Sequence, residues 1–524
     1  MLNYWWVTRP KRKLDSVPEV LSVFADISLN QVWNGQRGTQ LAYEDALEEA
    51  GLKRVGERRD HAGSGGRTYR AWLASLGLIF TQQSTGNIKL TLAGEAIMAG
   101  ESPVKILSAQ VLKYQFPSTF SISRGVQVSA RFKIRPFRFL LKLMMDDRIQ
   151  WLTEDEIAKV IAVHAENESD KCYEDVVSRV LQYRETGDAG LEDDFFELYA
   201  PSRGKNEENP FGYLKDMANT MVNWIEYTQL AKRDKDDDNH LSILEEKRNE
   251  VSKILSENPP FFRNPENEES FQRAYGCDPA HKKDTRNLAQ TKTVTAQIIA
   301  EQKIRNAYIS LSIKKPIVGI DSDLVNEIVE ETGIEYSFAE TALQRKYPHG
   351  SIGAFMASYF EMAFKGTEEA VDFEKATTEL FHDVFKYNAI HLGQTGSKSA
   401  PDILLISDGS GYQSIIDNKA YSKYSITGDH HNRMVHNYIE KIGTYSECPY
   451  PIGYFAYIAG GFTKTINAQL QKEADEAGVN GGAVTVSTFI KMIEQQNAGE
   501  RNWTHDDLRA LFSQNREIML SDIS

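Results

Sequence analysis

Pro401-Asp402 and Asp417-Asn418-Lys419 hold the residue types and spacing from which chemistry can be built. Two carboxylates and an ammonium brought to one point would repel or pair. Two carboxylates alone are stable side by side only if a cation sits between them. A Mg²⁺ ion takes a few hard oxygen ligands at about 2.1 Å and keeps waters and a phosphate oxygen. Asp402 and Asp417 supply two such oxygens and the backbone carbonyl of Asn418 a third. Lys419 then orients a water or helps to deprotonate it. The metal lowers the pKa of that water and offsets charge on a phosphorane-like transition state. Mn²⁺ or Ca²⁺ can take the place of Mg²⁺ in binding.

The elements that must position these groups are legible. Ile403–Ile406 reads as a strand, Ser407–Gly411 (SDGSG) as a tight turn and Tyr412–Asp417 as the return strand. Asp402 opens the first strand and Asp417 closes the second, which puts them roughly 5 Å apart in an antiparallel pair. Lys419, two residues past Asp417, leaves the same face. Before the hairpin, Glu368–Tyr387 reads as a helix with Val371, Phe381, Val384 and Phe385 toward the core. The bland alternative is a hairpin with solvated ends and a surface lysine.

The pattern is that of the PD-(D/E)xK nucleases. From about Asp372 to Phe512 the chain resembles the cleavage domain of the type IIS restriction endonuclease FokI and its relatives. The resemblance is carried by His391-Leu392-Gly393, Pro401-Asp402, the run Ile415 to Ser422, and Gly460-Gly461-Phe462. It implies an α/β domain with a central mixed sheet flanked by helices, and catalytic roles for Asp402, Asp417 and Lys419. It also makes Glu374 or Glu379 a further acidic partner. In such domains an Asp and an Arg four residues apart form reciprocal salt bridges between two cleavage domains. Asp429 and Arg433 stand at those positions, on one helix face, and a two-fold contact needs a self-complementary pair. The resemblance thus implies a transient homodimer for double-strand cutting. The alternative for this pair is a local intrahelical bond.

The 524 residues have 60 Lys+Arg and 74 Asp+Glu, a net charge of −14. The distribution is uneven. Residues 1–150 carry 21 Lys+Arg against 13 Asp+Glu, and Lys53–Lys142 carry 15 against 4. A phosphate-binding surface needs a local positive field, not a positive total. Hydrophobic residues at 41% and charged residues at 26% are globular values. No apolar run is long enough to span a bilayer, and the first residues lack the layout of a signal peptide. The widely spaced Cys172, Cys277 and Cys448 argue against a disulfide framework and a Cys-based zinc site and fit a reducing cytoplasm.

Residues 1–150 read as a winged-helix DNA-recognition domain. Leu41–Leu52 is an amphipathic helix, Arg54–Arg70 a basic glycine-rich loop, and Ala71–Phe80 a helix running into a strand. Gln82–Asn87 is a polar turn and Ile88–Leu92 a strand. The DNA contacts expected from it are Arg54, Arg58, Arg59, Arg67, Arg70 and Lys89, with Arg131, Lys133 and Arg135 further on. Residues 151–255 repeat the helix-then-wing scheme: Asp216–Leu230 is a helix with Met217, Met221, Trp224 and Ile225 on one face, followed by a polar turn and a strand at His240–Ile243. Residues 256–365 read as a linker and helical connector, and 366–524 as the cleavage domain. The first half is similar to AlwI-like type IIS enzymes and their nicking relatives through Pro18–Leu52, the stretch from LASLGLIF to LTLAGEAIMAG, and LKYQFPS. That implies sequence recognition by this half and a cut beside the site.

The expectation is a Mg²⁺-dependent type IIS restriction endonuclease on double-stranded DNA. A nicking enzyme of the same family, a structure-specific repair nuclease and a non-enzymatic winged-helix regulator are the alternatives. ATP is not expected, because Gly393–Ser399 misses the Gly-Lys order of a phosphate loop. S-adenosylmethionine is not expected either: Asn258–Phe261 (NPPF) has no glycine-rich loop to go with it. The Asp234–Asp238 run lacks the glycine and distal glutamate of a calcium loop.

Overall fold

The computed structural model describes residues 1–55, 63–118, 127–199, 212–234, 238–262, 266–288, 296–393 and 400–524. The chain divides into two compact units. One comprises Met1–Ser310 with Ser322–Lys346, the other Leu311–Asp321 with Tyr347–Ser524.

In the first unit, α1 (Val17–Ser28), α2 (Arg37–Glu49) and α3 (Ser64–Ser75) precede a hairpin of β1 (Ile79–Thr81) and β2 (Ile88–Leu90). Phe24 of α1 packs against Trp33 and Tyr43, with ring centroids 5.2 and 4.9 Å away. The basic stretch expected as a loop up to Arg70 is helical from Ser64, so Arg67 and Arg70 lie on α3. Gly66 serves close packing, since a Cβ there would lie 2.5 Å from the carbonyl oxygen of Gln40, while Gly63 precedes the helix at a φ of +77°. The turn Gln82–Asn87 closes as expected, the Gln82 N–H donating to the Asn87 carbonyl at 2.8 Å.

A second helix-and-strands arrangement follows. The helix Gly212–Tyr227 buries Met217, Met221, Trp224 and Ile225. The earlier strand β3 (Trp151–Leu152) and the strands after the helix, β4 (Ala231–Asp234) and β5 (His240–Ile243), form a three-stranded sheet in the order β3-β5-β4. The expected polar turn therefore starts later, because Lys232 and Arg233 are strand residues. The stretch around 256–285 is not a free linker. Its helix Glu268–Tyr275 lays Phe271 and Tyr275 into the unit, and Gln272 Nε2 and the Tyr275 hydroxyl donate to the carbonyls of Ala74 and Ser75 at 2.8 and 3.0 Å. Two aromatic residues at helical spacing outweigh a Pro/Asn/Glu-rich composition.

The second unit is built on a six-stranded mixed sheet, β11-β10-β9-β8-β7-β6. Its strands are β6 (Asn388–His391), β7 (Ile403–Ser407), β8 (Tyr412–Lys419), β9 (Ile452–Ala459), β10 (Gly481–Thr485) and β11 (Arg516–Ile518). The first three pair antiparallel and the remainder run parallel from β8 onward. On one face pack the helices Ala370–Asp383 and Val486–Ala498, joined by Phe381 and Phe489 at 5.1 Å. On the other, Ile415, Phe455 and Tyr457 meet Met434, Tyr438, Ile466 and Leu470. The helix Ala370–Asp383 is shorter than its sequence pattern suggests. Val371, expected in its core stripe, is 46% exposed because it sits in the first turn, off the sheet.

Candidate active site

The β7–β8 register sets the geometry. Ile403 faces Ile416, so the next step outward puts Asp402 opposite Asp417. The turn between them spends its positive φ at Gly411 (+65°), whose N–H donates to the Ser407 carbonyl at 2.8 Å. The carbonyl of Asp402 accepts from the N–H groups of Leu392 and Gly393 at 2.8 and 3.2 Å. Its carboxylate Oδ2 accepts from the Asn418 N–H at 2.7 Å. The Asn418 peptide thus borders the carboxylate pair, while its side chain leaves the opposite face to donate to Thr377 Oγ1 at 2.6 Å.

Lys419 Nζ lies 2.5 Å from Asp417 Oδ2, with the two side chains 13% and 5% exposed. The other Asp417 oxygen, Oδ1, is buried without a hydrogen-bond partner. Burial, and then the charge of Asp417, push the Asp402 carboxyl well above the usual carboxylate range. For Lys419 burial works against the ammonium, but Asp417, Asp402 and Glu374 outweigh it and its pKa lies above the ordinary lysine value. These carboxylates thus favour the ammonium form of Lys419.

Of the two glutamates on the preceding helix, Glu374 reaches the site and Glu379 does not. Glu374 Oε2 is 3.0 Å from His391 Nε2, and its charge acts on both Asp402 and Lys419. Room for it comes from Gly393, where a Cβ would lie 2.2 Å from that same oxygen. Glu379, five positions on, sits about 140° further around the helix. Burial and then Asp383 push its carboxyl up, and its other charged neighbours are Lys315 and Lys375. Among the described residues no three His, Cys, Asp or Glu side chains converge on a metal position. The donor set is two carboxylates and a peptide.

Asp429 and Arg433 lie at the junction of the helical segments Gly428–Asn432 and Arg433–Ile439, the latter a π-helical stretch. Within the chain they bond to each other at 2.6 Å, with side chains 68% and 33% exposed.

The expected DNA contacts divide. Arg58 and Arg59 lie outside the described residues. Arg54, Arg67 and Lys133 are exposed. Lys89 is not: it is 5% exposed and donates to Asn30 Oδ1 at 2.7 Å. Arg135, also 5% exposed, pairs with Glu168 and donates to the Pro259 carbonyl at 2.7 Å. Arg131 is committed to Asn3, Glu166 and the Val163 carbonyl, and Arg70 to Thr81 and Glu268. A guanidinium with five donors satisfies loop carbonyls and carboxylates inside a fold as readily as phosphates outside it. Four of the expected contacts are thereby structural.

Sequence patterning misses several residues near the site. His391 carries a signal only within His-Leu-Gly, and Tyr438, Tyr457 and Glu473 carry none beyond helix and strand periodicity.

A mixed sheet flanked by helices thus carries Asp402 just before β7, and Asp417 and Lys419 on one face of β8. Residues 333–519 match the family described as "FokI, cleavage domain". Residues 85–200 match the "Type II restriction endonuclease HgaI, N-terminal domain"; the residues themselves suggest the AlwI-like group for this half. The type II restriction enzyme StsI of Streptococcus sanguinis is 29% identical over 136 residues, 24% of this chain. The match spans 21% of the StsI chain, about a fifth of that relative's length. Among solved structures, restriction endonuclease FokI is similar at 15% identity and a TM-score of 0.28, over 99% of this chain and 100% of FokI. The BpuJ1 endonuclease binding domain, in complex with modified DNA, is similar at 17% identity and a TM-score of 0.37, over 53% of this chain and 95% of that one.

Proposed function

We propose that this chain is a type IIS restriction endonuclease: the first unit binds a short asymmetric sequence in double-stranded DNA, and the second hydrolyses phosphodiester bonds a few base pairs outside it. The observation that supports this most is the register that sets Asp402 against Asp417 with Lys419 beside them. A buried pair of carboxyl groups that resists carrying two charges is unfavourable by itself and is relieved by a divalent cation. Asp402, Asp417 and the Asn418 carbonyl would hold that ion, for which Mg²⁺ is the choice. When bound, such a cation supplies Lewis acidity to a phosphate oxygen and makes water a better nucleophile.

The chain's own groups divide the remaining work. The Asn418 N–H orients Asp402. Lys419, held as an ammonium by Asp417, donates to the scissile phosphate and offsets charge as it develops. Glu374, fixed by His391, is the further acidic partner. Glu379 is not, and takes no part here. In the first unit, α1 to α3 followed by the β1–β2 hairpin have the element order of a winged helix, with α3 as the helix that enters the major groove. The helix Gly212–Tyr227 with β4 and β5 is read as a second such module. Arg54, Arg67 and Lys133 are the phosphate contacts that remain exposed. Among the described residues no helix is long and apolar enough to cross a membrane, and a DNA substrate places the enzyme in the bacterial cytoplasm.

Supercoiled plasmid incubated with Mg²⁺ tests the reading. Discrete linear fragments, whose sequenced ends share a flanking motif at fixed distance, are expected. Nicked circles alone would favour a strand-specific nicking enzyme. Intact plasmid under all divalent cations, with sequence-specific binding retained, would favour a regulator.

A further inference from the structure

Tyr457 on β9 is the register partner of Asp417 on β8, so both side chains leave the same face of the sheet. Its hydroxyl lies 3.1 and 3.2 Å from the two carboxylate oxygens of Glu473. Glu473 belongs to the helix Ile466–Ala477 and its side chain is 0% exposed. Oxygen Oε1 is also 3.6 Å from Nδ1 of His431, which stands between Asp429 and Arg433. The second His431 nitrogen, Nε2, is 2.9 Å from Glu476. Three polar side chains from three elements thus run from beside Asp417 to the Asp429–Arg433 helix.

The surroundings make this costly. The rest of this face is closed by Phe455, Met434, Ile466 and Leu470, and a buried carboxyl is tolerated among such groups only when bonded. An apolar side chain at 473 would close the layer more cheaply. Around Glu473 the charged and titratable groups are Tyr457 and Tyr424 from the sheet side, Asp417 and Lys419 from β8, His431 from the Asp429–Arg433 helix and Glu476 from its own. Burial, opposed by the Tyr457 hydrogen bond and reinforced by Asp417 and Glu476, pushes the Glu473 carboxyl up to about 8. Glutamine is accordingly its close mimic at neutral pH.

We propose that Glu473 is a positioning residue for DNA cleavage, holding Tyr457 beside the catalytic strand by hydrogen bonds and packing against His431 of the pairing helix, so that strand and helix are placed together. This rests on the functional reading above. Glu473 touches neither substrate nor metal; it acts through Tyr457 and His431. Loss of the Tyr457 bond and of the packing against His431 then slows the chemical step and the second-strand cut, and leaves DNA binding alone because binding belongs to the first unit.

The test compares wild type, Glu473→Leu, Glu473→Gln and Tyr457→Phe in the full chain, on a duplex that wild type cuts. DNA affinity is read by anisotropy in EDTA and each strand's cleavage by single-turnover kinetics in Mg²⁺. Glu473→Leu and Tyr457→Phe are expected to lower the rate at least tenfold with affinity unchanged within twofold, the second strand suffering more than the first. Glu473→Gln should stay within threefold of wild type. Glu473→Leu cutting both strands at wild-type rate, or Glu473→Gln as slow as Glu473→Leu, overturns the proposal. If Glu473→Leu does not fold, Tyr457→Phe and Glu473→Gln carry the same decision. A wild type that cuts no DNA fails the functional reading itself, which is a separate outcome.

Discussion

The peptide N–H of Asn418 donates to Asp402 Oδ2 across 2.7 Å, so the strand that carries one carboxylate also holds the other. That bond keeps the Asp402 carboxyl against Asp417 in a buried place that disfavours its charged form.

Asp417→Ala should abolish cleavage and spare binding. Loss of one preorganised charge partner costs on the order of 10²–10³-fold in rate, and Asp417 also holds Lys419. Plasmid nicking and a gel-shift assay read the two arms. Near-wild-type nicking would remove Asp417 from the reaction.

Asp402→Asn should inactivate the enzyme yet stabilise the metal-free protein. The native Asp402 pKa lies well above its unfolded value. The native state therefore binds more protons, and stability is lost as pH rises from about 3.9, the unfolded carboxyl value, through the raised native one. Asparagine removes that loss, which at pH 8 amounts to about 1.4 kcal/mol for every tenfold by which folding tightens the carboxyl's hold on its proton. Urea unfolding in EDTA at pH 5 and 8 checks it, and a flat wild-type profile contradicts it.

A divalent cation should raise the melting temperature. Saturation at 100 times Kd contributes about 2.7 kcal/mol. Ca²⁺ serves as the probe without cleavage, and the shift should vanish in Asp417→Ala. An equal shift in that variant would place the ion elsewhere.

Arg433→Ala should slow the second-strand cut more than the first while changing stability by only a few tenths of a kcal/mol, the worth of an exposed i,i+4 pair. Quench-flow or gel time courses on plasmid at several protein concentrations report the ratio. An unchanged ratio leaves Asp429–Arg433 as a local bond only.

Among the basic residues, Arg67→Ala should weaken DNA binding and reduce the salt slope by about 0.9 if it meets one phosphate. Arg135→Ala should act instead on folding, by about 3 kcal/mol, because it strands Glu168 in a partly buried pair. Equal behaviour of the two variants in both assays would dissolve the distinction.

Local spacing by itself determined the hairpin, the facing of Asp402 and Asp417 across it, and the side from which Lys419 emerges. A tight turn between two strands of period two leaves little freedom of register. The helix before the hairpin and the turn at Gln82–Asn87 were legible for the same reason. What only the tertiary structure decided is which long-range partners each side chain meets. Glu374 and Glu379 are indistinguishable by type; the azimuth of their helix against the sheet sends one to His391 and the other away. Arg131 and Arg135 look like phosphate ligands in sequence but answer to Glu166, Glu168 and carbonyls more than 30 residues off. Glu473, in a pattern suited to an ordinary amphipathic helix, gained its place beside Tyr457 from the packing of that helix on the sheet. Periodicity reports which face of an element is buried, whereas pairing across elements depends on how rigid bodies dock, and no local pattern encodes that.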